Sequence, residues 1–127
     1  MELEDYLTIN ESDLEGECKL QAIRVEDVAR RVADTTQEIE LCNQEIEVKV
    51  AELYEDIKST ALSTGLKITE AALLHKINKD GPLQELRSTK ISLAHDKAIL
   101  LGLQKALDHK RDMLKSLTYT ASREGVF

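Results

Sequence analysis

Cations are the side chains in this sequence whose type and spacing could do chemistry, and most of them lie in its second half. Residues 58–127 contain 12 Lys and Arg against 7 Asp and Glu, whereas residues 1–57 contain 5 against 17. Cations repeated along a helix attract phosphate groups, so the basic half is a candidate surface for nucleic acid. Alternatively, the basic half pairs with the acidic half, within one chain or between protomers. The cations of the candidate surface are Lys58, Lys67, Lys76, Lys79, Arg87, Lys90, Lys97, Lys105, Lys110, Arg111 and Lys115.

Cysteine and histidine are too widely separated to suggest a metal or catalytic site. Cys18 and Cys42 have no second Cys or His at metal-ligand spacing, and His75, His95 and His109 cluster with neither. A zinc site needs four ligands, and isolated cysteines without a secretory signal are typical of reduced thiols. The sequence also lacks glycine-rich phosphate loops and the short motifs of metalloproteases and serine hydrolases. We therefore expect no catalytic residues, no metal and no cofactor, with the histidines on the surface.

The composition favours long helices over an ordinary globular core. Aromatic residues make up 3% of the chain and charged residues 32%, with frequent Leu, Ala, Glu and Lys, which is typical of long helices and coiled coils. No apolar run approaches the ~18 residues that span a bilayer, and residues 1–5 are acidic where a secretory signal would be basic. We expect no membrane partner and a cytoplasmic location.

Hydrophobic spacing and helix-end residues predict an all-α domain, built as a long helical hairpin with a short connector helix. Apolar residues repeat at spacings of three and four from Val28 to Ala61, and no Pro or Gly interrupts this stretch. Gly65 is expected to end the first helix, Thr69 to cap the second and Pro82 to open the third. We predict helices at about 13–63, 70–79 and 82–118, in a single domain of residues 13–119 between an acidic segment, 1–12, and a flexible tail, 120–127.

The acidic N-terminal residues have two interpretations. The stretch Glu2–Glu17 is a candidate surface for recruiting a protein partner, and alternatively it is a disordered, solvated tail. Asn10 or Ser12 could cap the helix that follows, with acidic residues in its first turn.

Leucine recurs every seven residues in the third predicted helix, which indicates self-association. Around the middle of this helix, residues 98–107 are apolar on nearly all sides, and a hairpin from so short a chain is not expected to shield them alone. We predict a closed oligomer formed through the C-terminal helix, with a monomeric three-helix bundle and an extended dimeric coiled coil as alternatives. The residues assigned to self-association are Leu93, Leu100, Leu101, Leu103, Leu107, Leu114 and Leu117.

Residues 46–117 resemble the UvsY-like recombination mediators of bacteriophages. The matching features are the helix passage Lys49-Val50-Ala51, the helix start Thr69-Glu70-Ala71-Ala72, the junction Ile77-Asn78-Lys79-Asp80, and the final helix passage 106–114, which reads Ala-Leu-Asp-His-Lys-Arg-Asp-Met-Leu. The order of an acidic opening, a long helix, a short connector helix and an oligomerising C-terminal helix is also similar.

The resemblance implies a non-catalytic accessory protein of homologous recombination, located in the host cytoplasm if a phage encodes it. Such proteins form ring-like homo-oligomers, bind single-stranded DNA and help a strand-exchange recombinase replace single-strand-binding protein. The family's basic pair lies shortly after the Lys-Val-Ala passage, where this chain has Leu53 and Glu55. Lys49 and Lys58 are the nearest cations and are added to the candidate DNA contacts.

A structural coiled-coil protein, such as a phage assembly chaperone or scaffold, is the alternative function. In that case the basic helix would hold acidic helices together, and its lysines would serve assembly instead of DNA binding.

Overall fold

The computed structural model describes residues 3–123, all of whose regular structure is helical. Two 3-10 turns, Leu3–Tyr6 and Glu11–Asp13, precede three α-helices: α1 (Leu14–Ser63), α2 (Glu70–Asn78) and α3 (Gly81–Arg123). The predicted all-α helical hairpin with a short connector helix is therefore confirmed. The two long helices begin and end in agreement with the sequence prediction except at the C-terminus of α3.

The end of α1 follows from one glycine. Gly65 has φ 70°, a left-handed conformation that costs residues with a Cβ more than glycine. This geometry lets the Gly65 N–H donate to the Leu62 carbonyl at 3.2 Å and the Leu66 N–H donate to the Ala61 carbonyl at 2.9 Å. These two hydrogen bonds satisfy carbonyls that the helix end would leave unpaired. The predicted stop at Gly65 is confirmed.

Side-chain caps define the starts of α2 and α3. Thr69 Oγ1 accepts the Ala72 N–H at 3.2 Å, which confirms Thr69 as the cap of α2. Asp80 Oδ2 accepts the Leu83 N–H at 3.0 Å and caps α3 in the same way. The helix consequently begins at Gly81, one residue before the Pro82 that the sequence suggested.

The described residues near both ends of the chain are more ordered than the sequence predicted. Helix α3 continues to Arg123, so the flexible tail assigned to residues 120–127 is wrong for residues 120–123, and residues 124–127 lie outside the described chain. The acidic segment 1–12 is likewise not a solvated tail where it is described. Tyr6 is buried at 2% exposure, and the Asn10 side chain caps the second 3-10 turn by accepting the Ser12 N–H. Burial of this aromatic ring helps to hold the segment on the helices.

The chain divides into two compact units, to which both long helices contribute. The first comprises Met1–Asp34 and Asp96–Phe127, and the second comprises Thr35–His95. In the first unit α1 packs against α3 around a buried cluster of Tyr6, Val28, Leu103 and Leu107. In the second, α2 and the start of α3 pack on α1 through buried residues, which are Leu73, Ile77 and Leu83, flanked by Ile46, Val50, Leu53, Tyr54, Ile57 and Ile68.

Four of the α3 leucines assigned to self-association face the interior of the single chain. Leu100, Leu103, Leu107 and Leu114 are buried without a second copy, and Leu93 and Leu117 are half-buried. The expectation that a hairpin cannot shield this segment is therefore wrong for the four buried leucines. Of the residues assigned to self-association, Leu101 remains exposed, at 43%.

Candidate nucleic-acid interface

One concave surface that carries two predicted DNA contacts lies where α1 ends and α2 begins. We call it the Lys67 groove, a cavity of about 490 Å³ in the second unit. Lys67 reaches it from the connector that follows Gly65, and Lys76 reaches it from the last turn of α2. Two exposed cations, one from the connector and one from α2, thus line the same groove beside the end of α1.

Hydroxyl groups and one carboxylate line the same groove. The Thr60 and Thr64 hydroxyls donate to main-chain carbonyls of α1, so their protons are already used. The Thr69 hydroxyl accepts the Ala72 N–H, which leaves its own proton to donate to a ligand. Asp56 also borders the groove and limits how close an anion can approach from its side. Lys67, Lys76 and the Thr69 hydroxyl therefore supply two positive charges and one hydrogen-bond donor to a groove that also contains the Asp56 carboxylate.

Lys58 is held against an aromatic ring on α1. Its Nζ lies 4.7 Å from the centroid of the half-buried Tyr54 ring. Tyr54 raises the pKa of Lys58, and the negative charge of Glu70 adds to the effect. The ammonium group is therefore charged at neutral pH, but its attachment to the ring competes with phosphate binding.

Three further predicted contacts of the second unit lie at the α2–α3 junction and beyond. Lys79 and Lys90 are exposed, whereas Arg87 is half-buried and donates from Nη1 to Asn78 Oδ1 at 2.9 Å. Fixing the guanidinium reduces the entropy it would lose on binding a phosphate.

Lys49 is in an unfavourable position for DNA. It is half-buried and lines a shallow groove together with Glu45 and Glu52 of the same helix. Carboxylates this close to the ammonium group repel a phosphate that approaches it.

The predicted DNA contacts of the first unit differ in their exposure and in their ion pairs. Lys97 is half-buried, and Arg111 is 54% exposed, with its guanidinium 4.0 Å from an Asp108 carboxylate oxygen and 3.7 Å from one of Asp112. Exposed ion pairs of this kind are weak and exchange readily with solvent or another anion. Lys105 and Lys115 are exposed and form no ion pair with residues 3–123.

Lys110 is not part of any basic surface, which corrects its place among the candidate cations. It is 3% exposed, and its Nζ donates to the carbonyl oxygens of Tyr6 and Thr8 at 2.8 and 3.0 Å. The same ammonium group lies 3.2 Å from Glu17 Oε2, which is also buried. The lysine therefore ties the N-terminal segment and α1 to α3 and cannot reach a phosphate in this arrangement.

The buried Glu17 shows why this network holds a charge in the interior. Burial alone would raise the pKa of Glu17, but the hydrogen bond from the Asn10 N–H, the Lys110 ammonium and the Arg24 guanidinium together lower it. Arg24 lies 3.6 Å from Glu17 and stacks over the Tyr6 ring, 5.6 Å from its centroid. Glu17 is consequently removed from the acidic stretch that could recruit a partner.

Sequence reasoning did not identify this network, although one signal was present. Lys110 continues the buried stripe of α3 at spacings of three and four, between Leu107 and Leu114. A cation at such a position predicts a buried partner. The Tyr6 hydroxyl, which donates to Asp27, had no comparable signal because the two residues are on different elements.

The alternative of pairing between the acidic and basic halves finds little support within one chain. In the described residues 3–123, the Lys110–Glu17 pair connects α3 to α1, and the other ion pairs connect residues of the same helix. The acidic face of α1 remains exposed, as at Glu38, Glu45 and Glu52. Pairing between protomers stays a prediction.

An apolar band of α3 remains uncovered in the first unit. It is centred on Leu101, which is 43% exposed and faces away from the buried leucines, with the exposed small residues Ala98 and Gly102 beside it. Ile99 and Met113 are 50% and 57% exposed on another side of the helix, because residues two positions apart do not share a face. Small residues at the centre of such a band allow another helix to approach closely. This band replaces the buried leucines as the candidate surface for self-association.

The histidines form no metal centre in the part of the chain that the structure describes. His75, His95 and His109 are exposed as predicted, and within residues 3–123 no group of three metal-ligating side chains comes together. None of the described helices is apolar over a length that would carry it across a bilayer.

Comparison with protein-family models, curated proteins and solved structures finds no match to this chain.

Proposed function

We propose that this chain is a homo-oligomeric, single-stranded-DNA-binding accessory protein of homologous recombination. It would help a strand-exchange recombinase replace single-strand-binding protein on DNA, without catalysis or a cofactor. The observation that carries the proposal is the Lys67 groove, in which Lys67 and Lys76 line one cavity. This groove lies inside the stretch 46–117, whose sequence resembles the UvsY-like mediators.

Repetition offsets the weakness of each site. A phosphate held by two exposed lysines binds weakly and in a salt-dependent way, and the net charge of −7 opposes DNA approach at long range. An oligomer presents several copies of the groove to one strand, so that the second and later contacts form at high effective concentration. The apolar band around Leu101 is the surface through which copies would associate. Function and oligomerisation are therefore linked in this proposal.

Fluorescence anisotropy of a labelled homopolymeric single strand tests DNA binding directly. The full-length protein is titrated at low and then moderate salt, and the double variant Lys67→Glu/Lys76→Glu is compared with Lys19→Glu/Arg30→Glu. The second variant has the same net charge and reverses two exposed cations of the acidic half. We expect binding that weakens steeply with salt, and a salt slope reduced by about one for each lysine removed from the groove.

Two results contradict the proposal. If the labelled strand does not bind at low salt, single-stranded DNA is not a partner of this protein. Equal losses in the two double variants would mean that net charge governs binding and that the Lys67 groove has no special part in it.

A structural coiled-coil protein is the second candidate, because the exposed apolar band of α3 suits helix packing between copies. The two functions differ in the role of Lys90, Lys97 and Arg111. Reversing these three to Glu should weaken DNA binding and leave the oligomer mass unchanged if the protein is a mediator. If they instead hold acidic helices of neighbouring copies, sedimentation will show a changed particle, with no DNA affinity to lose.

A further inference from the structure

A second groove, in the first unit, lies between the start of α1 and the end of α3. We call it the Tyr119 groove, a cavity of about 530 Å³, which is within the range of sites that hold small organic ligands. The Tyr119 ring is 69% exposed along it, and the buried Leu114 contributes to its apolar lining. Arg111 and Lys115 line it as well, and none of the lining residues carries a carboxylate.

An unpaired hydrogen-bond acceptor borders this groove. Gln21 is buried at 7% exposure, and its Nε2 donates to the Leu107 carbonyl at 2.9 Å. That bond fixes which end of the amide is oxygen, and the oxygen, Oε1, has no hydrogen-bond partner. A buried carbonyl without a donor is costly, and water does not reach this oxygen. A ligand that displaces the adjoining side chains of the groove and brings an N–H group to it therefore gains more than it would at a solvated site.

These features together select the ligand. An exposed aromatic ring stacks on flat ring systems, Lys115 attracts an anion, and Gln21 Oε1 requires a donor. Arg111 adds positive charge, although it is shared with Asp108 and Asp112. A nucleotide combines a flat base, N–H groups on the edge of that base and a phosphate, and it therefore satisfies all the requirements at once.

We propose that the Tyr119 groove binds one nucleotide of a DNA single strand. The base stacks on Tyr119, an edge N–H of the base donates to Gln21 Oε1, and the phosphate lies at Lys115 and Arg111. This inference rests on the proposed function and adds to it a base contact, which the lysines of the Lys67 groove do not provide. Since every base has a stacking face and at least one edge N–H, the groove accepts strands of any sequence.

Cys18 provides a probe of this site because it also lines the groove. It is an exposed free thiol, whereas Cys42 is buried, with its Sγ donating to the Leu86 carbonyl at 3.3 Å. The full-length protein is treated with a thiol reagent alone, with oligo(dT), and with an abasic strand of the same number of phosphates. We expect oligo(dT) to slow the modification of Cys18 about tenfold, the abasic strand to have little effect, and Cys42 to react slowly throughout.

Substitution of the ring gives an independent measurement. Tyr119→Ala should weaken oligo(dT) binding about tenfold and abolish the preference over the abasic strand, because stacking on the ring is lost. Tyr119→Phe keeps the stacking face and should retain the preference. Thr120→Ala, an exposed neighbour that does not line the groove, serves as the matched control.

The outcomes separate this inference from the proposed function. If oligo(dT) binds and Cys18 stays fully reactive, the groove is empty and the inference is wrong, while the DNA-binding function stands. Equal protection by the abasic strand places phosphate alone at the groove and also overturns it. Protection that rises with protein concentration without DNA shows a second copy covering the groove and overturns it too. If neither strand binds at low salt, both proposals fail.

Discussion

Replacing Lys110 by Met distinguishes a buried structural cation from a surface DNA contact. The methionine side chain keeps much of the apolar stem and removes the ammonium group, so the variant isolates the polar contacts. Those contacts are the carbonyl oxygens of Tyr6 and Thr8 and the carboxylate of Glu17, at 2.8, 3.0 and 3.2 Å. The matched control is Lys105→Met, an exposed position on the same helix.

The expected loss of stability follows from these contacts. Each of the two charge-assisted hydrogen bonds contributes about 1.5–3 kcal/mol, but their contributions overlap with that of the ion pair to Glu17 because one ammonium group makes all three contacts. After the change, Glu17 keeps the Asn10 N–H at 3.1 Å and Arg24 at 3.6 Å, and these reduce the cost of its burial. Removing one partner of a buried ion pair costs about 3–5 kcal/mol. We therefore expect about 3 kcal/mol for Lys110→Met and less than about 0.5 kcal/mol for the exposed control.

Urea denaturation followed by circular dichroism at 222 nm measures both free energies of unfolding. The protein concentrations are chosen so that sedimentation gives the same particle mass for all variants, because self-association stabilises the folded state. If Lys110→Met unfolds at the same urea concentration as Lys105→Met, the buried network contributes nothing and the reasoning is wrong. If Lys110→Met lowers DNA affinity without lowering stability, Lys110 is a DNA contact and not a buried structural cation.

Three further predictions test the fold. Gly65→Ala should lower the free energy of unfolding by about 1 kcal/mol in the same urea assay, because alanine is strained at a φ of 70°. No steric clash adds to this cost, since the added Cβ meets nothing within 4 Å, and unchanged stability would contradict the prediction. Leu107→Ala should lower the free energy of unfolding by about 3 kcal/mol, whereas Leu101→Ala should chiefly lower the particle mass measured by sedimentation. If Leu107→Ala chiefly lowers the particle mass and Leu101→Ala chiefly lowers stability, the proposed interface is wrong. The pKa of Glu17 is lowered in the folded state, so its stabilisation is complete above its ordinary pKa of about 4.5 and is lost as pH falls through the folded value. Urea titrations below pH 4.5 should therefore show a flatter pH dependence for Glu17→Gln, and an unchanged slope would exclude this contribution.

The candidate interface differs from a surface defined by charge alone. The sequence suggests a continuous ladder of cations, but the structure removes Lys110 to the interior, places Lys49 between carboxylates and pairs Arg111 with aspartates. What remains concentrated is the pair Lys67 and Lys76 in one groove. In a chain with net charge −7, the proposed DNA binding depends on a few well-placed cations instead of a uniform positive field.

The helices and their ends could be predicted from the sequence because the interactions that define them are local. Hydrogen bonds within a helix join residues four apart, a cap such as Thr69 bonds three residues onward, and Gly65 ends α1 through its own backbone freedom. The two places where prediction failed at the termini depend on packing. Tyr6 orders the N-terminal segment by burying its ring, and α3 extends to Arg123 beyond the last leucine of its stripe.

Only the tertiary structure decided which partner each side chain has. The heptad of α3 predicts a buried apolar stripe, but periodicity is the same whether α1 or a second copy covers it, and in this chain Leu107 packs with Val28 of α1. Lys110 is distinguished from Lys105 by carbonyl oxygens about a hundred residues earlier in the chain, one of them 104 residues away. A contact between such distant residues has no local pattern, because it exists only after the helices have packed. The sequence by itself therefore determined the elements of this protein, and the packing determined which of its charges are available for function.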